Sequence, residues 1–242
     1  PGFLLLSALA IPIAILVNAA ETKLSATLAG TNLGWLQATH IGLVSSAANI
    51  LPLPGGPLVR IGALKRAGAS LLQGGVATTL IAAIGVGLAF TSAGAATVGA
   101  HPSVGMSCLA VGAVATGACA IALFRLRRSW ALVAMVLVMK SVGIALGLLR
   151  MYWALASLGF VVSFTALFAF AVSDVAGSVV SIVPAGLGIN EAVAALMAPL
   201  VAVPSTLAFL AVAINRVIAL AVLAVATAFA AALPGAREPQ GG

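Results

Sequence analysis

The chain is a series of seven long apolar stretches separated by short polar segments. They cover about residues 3–20, 35–53, 69–92, 104–124, 130–153, 163–183 and 205–233. Each is close to the roughly 20 residues that an α-helix needs to cross the hydrocarbon of a bilayer. A transmembrane barrel would instead show alternating strands of about ten residues. The pattern therefore predicts an all-α fold, a polytopic transmembrane helical bundle of about seven spans.

The composition agrees with this fold class. Of the 242 residues, 63% are hydrophobic and 6% are charged, and the mean hydropathy is +1.26. A soluble domain has about 25% charged residues. We expect residues 1–242 to form a single integral membrane domain, with a disordered polar tail at 234–242.

The net charge of +7 comes mainly from two basic clusters. One contains Arg60, Lys65 and Arg66, and the other contains Arg125, Arg127 and Arg128. Two predicted spans separate the clusters, so both lie on one face, which the positive-inside rule makes cytoplasmic. This predicts a multi-pass protein of the cytoplasmic, or inner, membrane. Orientation and attraction to anionic head groups explain the charge excess better than nucleic-acid binding does.

The cysteines and histidines indicate no metal site. Cys108 and Cys119 are about three turns apart on one predicted helix, near 16 Å at about 1.5 Å per residue, which is too far for a disulfide. His40 and His101 are isolated in the sequence. We therefore expect no metal and no cofactor.

Two of the predicted spans end in similar interruptions, LPLPGGPLVR at 51–60 and SIVPAGLGINE at 181–191. Proline removes a backbone N–H, and glycine permits turns that other residues resist. Such a break is tolerated in lipid only where protein or a watery cavity covers it. The candidate hinge residues are Pro54, Gly55, Gly56, Pro184, Gly186 and Gly188. The alternative is that Pro52 to Pro57 forms an ordinary interfacial loop.

The two breaks suggest an internal repeat of residues 1–100 and 125–233. Corresponding broken segments in two halves of a membrane protein indicate a transporter's binding site. The predicted spans between the breaks are even in number, which places both breaks on one face, whereas an inverted repeat requires opposite faces. Either one apolar segment is re-entrant or the repeat is not inverted.

Charged residues at membrane depth are candidates for function. The acidic residues of the chain are Glu21, Asp174, Glu191 and Glu238. We expect the first and last in loops or tails, and the other two inside the membrane with Lys140 and Arg216. Each such charge costs on the order of 2.5 to 3.5 kcal/mol at a helix centre and should find a partner. Lys140 with Asp174 and Glu191 with Arg216 is one pairing, and exchanged partners are equally allowed.

Two further residues are predicted at helix starts. Arg60 follows the first glycine break, where free N–H groups and a guanidinium would together suit a phosphate. Asn190 is predicted to be a helix N-cap, with Glu191 in the first turn. The candidate substrate-binding residues are therefore Arg60, Glu191, Arg216, Asp174, Lys140 and Asn190.

Three motifs resemble the flippase-like family of the lysylphosphatidylglycerol synthetase transmembrane region. They are Leu51–Gly56 with Arg60, Ile182–Glu191, and Asn215–Ile218. The family typically shows Pro-Gly-Gly-x-Gly-x-x-Glu at the second motif. Here Ala185 replaces a glycine, and Asn190 stands where the family often has arginine.

The resemblance implies a transporter and not an enzyme. Members of that family move aminoacylated phospholipids or polyprenyl-linked sugars between leaflets, and some carry a cytoplasmic aminoacyl-transferase domain. The expected partners are membrane lipids, with a lipid-synthesising enzyme or a second copy of the chain as further candidates. One alternative is a membrane-embedded transferase or phosphatase, for which Asp174, Glu191 and His40 are the candidate nucleophiles or bases. Another is a structural partner of a membrane enzyme.

Overall fold

The computed structural model describes residues 2–48, 55–179 and 188–232, which are helical over most of their length and contain no strand. The α-helices are α1 (Gly2–Ala29), α2 (Trp35–Ala48), α3 (Gly55–Arg66), α4 (Leu71–Thr97), α5 (Pro102–Arg127), α6 (Trp130–Ser157), α7 (Phe164–Leu167), α8 (Ala171–Val179), α9 (Ile189–Met197) and α10 (Ser205–Ala232). Short 3-10 helices cover Phe168–Phe170 and Ala198–Val201. The predicted all-α fold class is confirmed.

Five of the described helices are long and apolar enough to cross a membrane: α1, α4, α5, α6 and α10. The protein is thus a multi-pass membrane protein. The spans expected at 35–53 and 163–183 are not confirmed, because their described parts are shorter helices. The 14 residues of α2 extend about 21 Å at roughly 1.5 Å per residue, less than the hydrocarbon thickness of about 30 Å.

The first interruption separates two helices that pack against each other, α2 and α3. A Cβ atom on Gly55 would overlap the carbonyl oxygen of Ala48. In one continuous helix these two residues would be about 10 Å apart. Hence α3 does not continue the axis of α2 but lies alongside it. We call α2 and α3 the first hairpin.

The second interruption has a similar relationship to its flanking helices. α8 packs against α9, and the buried residues Phe170, Ala171 and Ala194 belong to one apolar cluster between these elements. Gly188 precedes α9 with φ of 81°, a left-handed conformation that glycine adopts readily. We call α7, the 3-10 helix Phe168–Phe170, α8 and α9 the second hairpin.

Not all predicted hinge residues can be placed. Gly55 and Gly56 are the first residues of α3, and both are buried. Gly188 is the N-cap of α9. The predictions for Pro54, Pro184 and Gly186 lie outside the described residues.

The α4 helix is the centre of the bundle. It is the most buried of the five long helices and contacts both hairpins, through α3 and α8. It packs on α5 through glycines: a Cβ on Gly87 would be 3.0 Å from the Gly112 carbonyl oxygen, and one on Gly94 would be 2.7 Å from that of Gly105. Small residues allow such close approach where helices gain little from hydrophobic burial. The order of these contacts makes α4 and α5 antiparallel.

Gly112→Ala should separate α4 from α5. The new Cβ would lie 2.6 Å from the Gly87 carbonyl oxygen, so the two backbones must move apart. We expect a loss of about 1 to 3 kcal/mol in the free energy of unfolding. Gly117→Ala on the same helix is the matched control, since its Cβ meets nothing within 4 Å. Unfolding titrations in mixed micelles measure both, and equal stabilities would contradict the close packing.

Several basic residues outside the interior lie at one end of the bundle. Arg127 donates from Nε to the Leu28 carbonyl oxygen at 2.9 Å, so the C-terminal ends of α1 and α5 meet. Lys65 and Arg66 are the last residues of α3, shortly before α4 begins. Because α4 and α5 are antiparallel, the N-terminal end of α4 lies beside the C-terminal end of α5. We call this end of the bundle, which carries Lys65, Arg66 and Arg127, the basic end.

Candidate functional site: two interior charge clusters

The first charge cluster joins α1, α3 and α6, and consists of Asn18, Glu21, Arg60 and Lys140. Lys140 Nζ donates to Glu21 Oε2 at 2.8 Å, and Arg60 NH1 lies 3.7 Å from the same oxygen atom. Arg60 NH2 also donates to the side-chain oxygen of Asn18, one turn before Glu21 on α1. Two cations from different helices therefore share one carboxylate.

Asn18 also connects α1 to the other helix of the first hairpin. Its Nδ2 atom donates to the Gly42 carbonyl oxygen at 3.2 Å and to the Ser46 hydroxyl at 2.8 Å, both on α2. Gly42 permits this approach, because a Cβ there would be 3.2 Å from the backbone nitrogen of Ala19. One amide thus holds both helices of the first hairpin against α1.

Two expectations about this cluster are wrong. Glu21 lies within α1 and not in a loop, because the helix continues to Ala29 and the carboxylate finds two cations there. Lys140 pairs with Glu21 and not with Asp174. Arg60 lies in the second turn of α3 and contacts α1, so its described partners are side chains of another helix and not the helix start.

The second charge cluster includes the pair of Glu191 and Arg216, one of the two pairings that the sequence left open. Arg216 NH1 is 3.0 Å from Glu191 Oε1, and the Gly188 N–H donates to Glu191 Oε2 at 3.0 Å. Glu191 is only 4% exposed. One carboxylate therefore caps the start of α9 and neutralises a cation at the middle of α10.

The prediction that Asn190 caps α9 is wrong. The N-cap is Gly188, which reaches the left-handed region at no steric cost, so α9 begins one residue before Asn190. Asn190 is half-buried in the first turn and has interactions of its own. Glu191 is in the first turn, as predicted.

Asp174 and Arg150 complete the second charge cluster. The Asp174 carboxylate lies against Gly147 of α6 and interacts electrostatically with Arg150, one turn further along. Arg150 NH2 donates to the Asn215 carbonyl oxygen at 3.2 Å, next to Arg216 in the chain. Asp174 is an exposed residue of α8, unlike Glu191.

Sequence reasoning missed Arg150 although a signal for it exists. Lys140, Gly143, Gly147 and Arg150 follow one another at i, i+3, i+7 and i+10, so they share one face of α6. The prediction extended this stripe only to Gly147. The same face thus carries one cation for each cluster.

The two clusters lie at different depths in the bundle. On α1, Glu21 belongs to the first cluster, whereas Ser7 donates to Asn215 Oδ1 beside the second at 3.2 Å. These positions are about 21 Å apart along the helix, and Lys140 and Arg150 are about 15 Å apart along α6. Because the order of the clusters is reversed on the two helices, α1 and α6 run antiparallel. The first cluster is nearer the basic end, toward which α1 runs.

The first cluster is shielded but not sealed. The side chains of Arg60 and Glu21 are each 12% exposed, and that of Lys140 is 18% exposed. Among the described residues no acceptor meets the buried Nε of Arg60. The arrangement offers two fixed cations and one carboxylate to a polar group that enters it.

The described residues offer little for metal binding or for general-base catalysis. Over residues 2–48, 55–179 and 188–232, no three His, Cys, Asp or Glu side chains are grouped to hold a metal ion. His40 is exposed on α2.

Comparison with protein-family models, curated proteins and solved structures finds no match for this chain.

Proposed function

We propose that this protein moves a lipid with a polar, phosphate-containing head group across the cytoplasmic membrane. An aminoacyl-phospholipid or a polyprenyl-linked glycolipid would fit, as in the flippase-like family that the motifs resemble. One observation carries the proposal: the first hairpin places Arg60 and the second places Glu191 inside the bundle, and each meets an opposite charge on a long helix. Ionisable groups inside a membrane are costly and typically line substrate or ion pathways.

The arrangement of the helices supports an inverted repeat. In this proposal α1, the first hairpin and α4 correspond to α6, the second hairpin and α10, and α5 connects the two units. Three long helices, α4, α5 and α6, separate the hairpins, so the hairpins would enter from opposite faces. In this proposal 163–183 is not a full span, which makes the number of spans between the hairpins odd where the sequence analysis counted an even number. Broken elements at the interface of inverted repeats are the usual site of substrate binding in transporters.

The proposed pathway runs from one charge cluster to the other. The head-group phosphate would bind Arg60 and Lys140 near the basic end, which the positive-inside rule makes cytoplasmic. Asp174, which is exposed on α8, would bind a cationic part of the head group at the second cluster. The glycines that begin the re-entrant helices would allow them to rock. The acyl chains would remain in the bilayer beside the bundle.

A lipid-phosphate transferase or phosphatase is less well supported. Such an enzyme needs a free nucleophile or base beside the phosphate. Glu191 is occupied by Arg216 and by the Gly188 N–H, and Asp174 interacts with Arg150. His40 is exposed on α2 and has no described contact with either cluster. No specific observation favours this chemistry.

Lipid movement in reconstituted vesicles tests the proposal. The wild-type protein should expose a fluorescent anionic phospholipid of the inner leaflet to external dithionite faster than protein-free vesicles do. Arg60→Ala should slow this movement about tenfold or more, since a charge-assisted hydrogen bond contributes roughly 1.5 to 3 kcal/mol. Lys65→Ala on the exposed part of α3 is the control and should match the wild type. A wild-type rate equal to that of empty vesicles would refute the proposal.

A further inference from the structure

We infer that Glu21 is an internal counter-ion in a phosphate site formed by Arg60 and Lys140, and that the phosphate of the lipid displaces it. The inference rests on the proposed function and adds the event that would open the site. The ligand chemistry is a phosphate oxyanion. In the absence of the phosphate, the Glu21 carboxylate pairs with the two cations.

Glu21 does not use all the hydrogen-bond donors of the Arg60 guanidinium. The 3.7 Å from Arg60 NH1 to Glu21 Oε2 exceeds the roughly 2.7 to 2.9 Å of a charge-assisted hydrogen bond. Arg60 Nε has no acceptor among the described residues. A guanidinium binds phosphate best through two parallel N–H groups. Arg60 therefore retains donors that a phosphate could use and that Glu21 does not.

Lys140 is positioned to complete the site. Its Nζ reaches the same Glu21 oxygen atom that Arg60 approaches, so both cations can contact a single oxyanion. The aliphatic part of Lys140 crosses Gly85 of α4, where a Cβ would be 3.1 Å from Lys140 Cδ. The absence of a side chain at Gly85 leaves room for this path.

The charges that form the first cluster do not balance. Arg60 and Lys140 carry two positive charges, and Glu21 carries one negative charge. An excess of positive charge in a shielded site is unfavourable. A phosphate with one negative charge supplies the missing charge, so that Arg60, Lys140, Glu21 and the phosphate together would be neutral.

Displacement would also loosen the bundle at one point. Arg60 belongs to the first hairpin, Lys140 to α6 and Glu21 to α1, so the carboxylate holds three elements together. A ligand that replaces Glu21 leaves Arg60 and Lys140 neutralised while Glu21 loses its bonds to them. Since a ligand shifts an equilibrium only through differential contacts, this exchange gives the head group a means to favour movement of the hairpin.

The test measures binding to the purified full chain in nanodiscs. The probes are dioctanoyl phosphatidic acid, inorganic phosphate as competitor, and dioctanoylglycerol, which lacks the phosphate. Phosphatidic acid should bind and dioctanoylglycerol should not. Competition by inorganic phosphate would identify a site for the bare oxyanion, and lack of competition would identify one for the lipid phosphate; either result supports an oxyanion site. Equal binding of both lipids would overturn it.

The variants separate the role of Glu21 from that of the cations. Glu21→Gln should tighten phosphatidic acid binding about tenfold, and Lys140→Gln should weaken it by a similar factor. Glu21→Gln with Lys140→Gln restores the wild-type net charge and should bind close to the wild-type affinity. Lys65→Gln, an exposed substitution of the same charge change as Lys140→Gln, should leave affinity unchanged.

Failure of this inference is distinguishable from failure of the proposed function. If Glu21→Gln does not fold, the double variant is compared with Lys140→Gln, and it must bind more tightly. Affinity that does not rise when Glu21 is neutralised overturns the displacement of Glu21, even if the wild type moves lipid. If the variants bind phosphatidic acid in the expected order but the wild type moves no lipid, the transport function is overturned and the oxyanion site is kept.

Discussion

Arg216→Met is expected to lower the free energy of unfolding by about 3 to 5 kcal/mol, because it leaves the Glu191 carboxylate buried without its cation. Glu191 is 4% exposed, so water cannot replace the guanidinium. Methionine retains most of the apolar stem of arginine, which limits the effect of lost packing. The measurement is a denaturation titration in mixed micelles or bicelles.

The second variant of this pair separates charge from packing. Arg216→Met with Glu191→Gln removes both charges and keeps an acceptor for the Gly188 N–H. We expect it to recover most of the lost stability, since replacing both members of a buried ion pair is far less costly than removing one. A double variant as unstable as Arg216→Met would show that the ion pair is not the source of the effect.

Gly55→Ala is expected to destabilise the first hairpin by about 2 to 3 kcal/mol. The added methyl group would overlap the carbonyl oxygen of Ala48 and come within 2.8 Å of its carbonyl carbon. This obstacle is backbone, so it can be relieved only by moving α3 away from α2. That movement would also withdraw Arg60 from Glu21, so lipid movement should fall with stability.

Gly62→Ala is the matched control on the same helix. A Cβ on Gly62 meets nothing within 4 Å, and alanine favours a helix over glycine by up to about 1 kcal/mol. Its stability should equal or exceed that of the wild type, with normal lipid movement. If Gly55→Ala and Gly62→Ala behaved alike, α2 and α3 would not be in contact at Ala48.

Hydropathy predicted which segments form long helices better than it predicted how long each helix is. The spans at 69–92, 104–124, 130–153 and 205–233 correspond to α4, α5, α6 and α10, because long aliphatic runs have few alternatives in a bilayer. The α1 helix is longer than predicted. The average hydropathy falls around Asn18, Glu21 and Lys23, where the predicted span ended. The helix continues because these side chains bond to residues outside α1.

Helical periodicity predicted faces but not partners. It placed Lys140 on the inner face of its helix, yet that face is long enough to meet both α1 and α8, and the sequence has no information on which carboxylate lies opposite. The pair of Glu191 and Arg216 was one of two pairings that the sequence allowed, and periodicity could not choose between them. Glu21 was missed because its partners are distant in sequence, on α3 and α6.

The central claim is that two re-entrant hairpins enter the bundle from opposite faces, and labelling from each side of the membrane tests it most directly. Cys108 and Cys119 are first replaced by serine. Single cysteines then replace residues at the ends of the two hairpins, all of them exposed: Asn32, Arg66, Val161 and Pro204. A membrane-impermeant maleimide is applied to sealed vesicles of known orientation.

The hairpins predict that Asn32→Cys and Arg66→Cys react from one side of the membrane, and that Val161→Cys and Pro204→Cys react from the other. If residues 35–53 and 163–183 instead crossed the bilayer completely, the two members of each pair would react from opposite sides. That result would contradict the hairpins and the proposed inverted repeat.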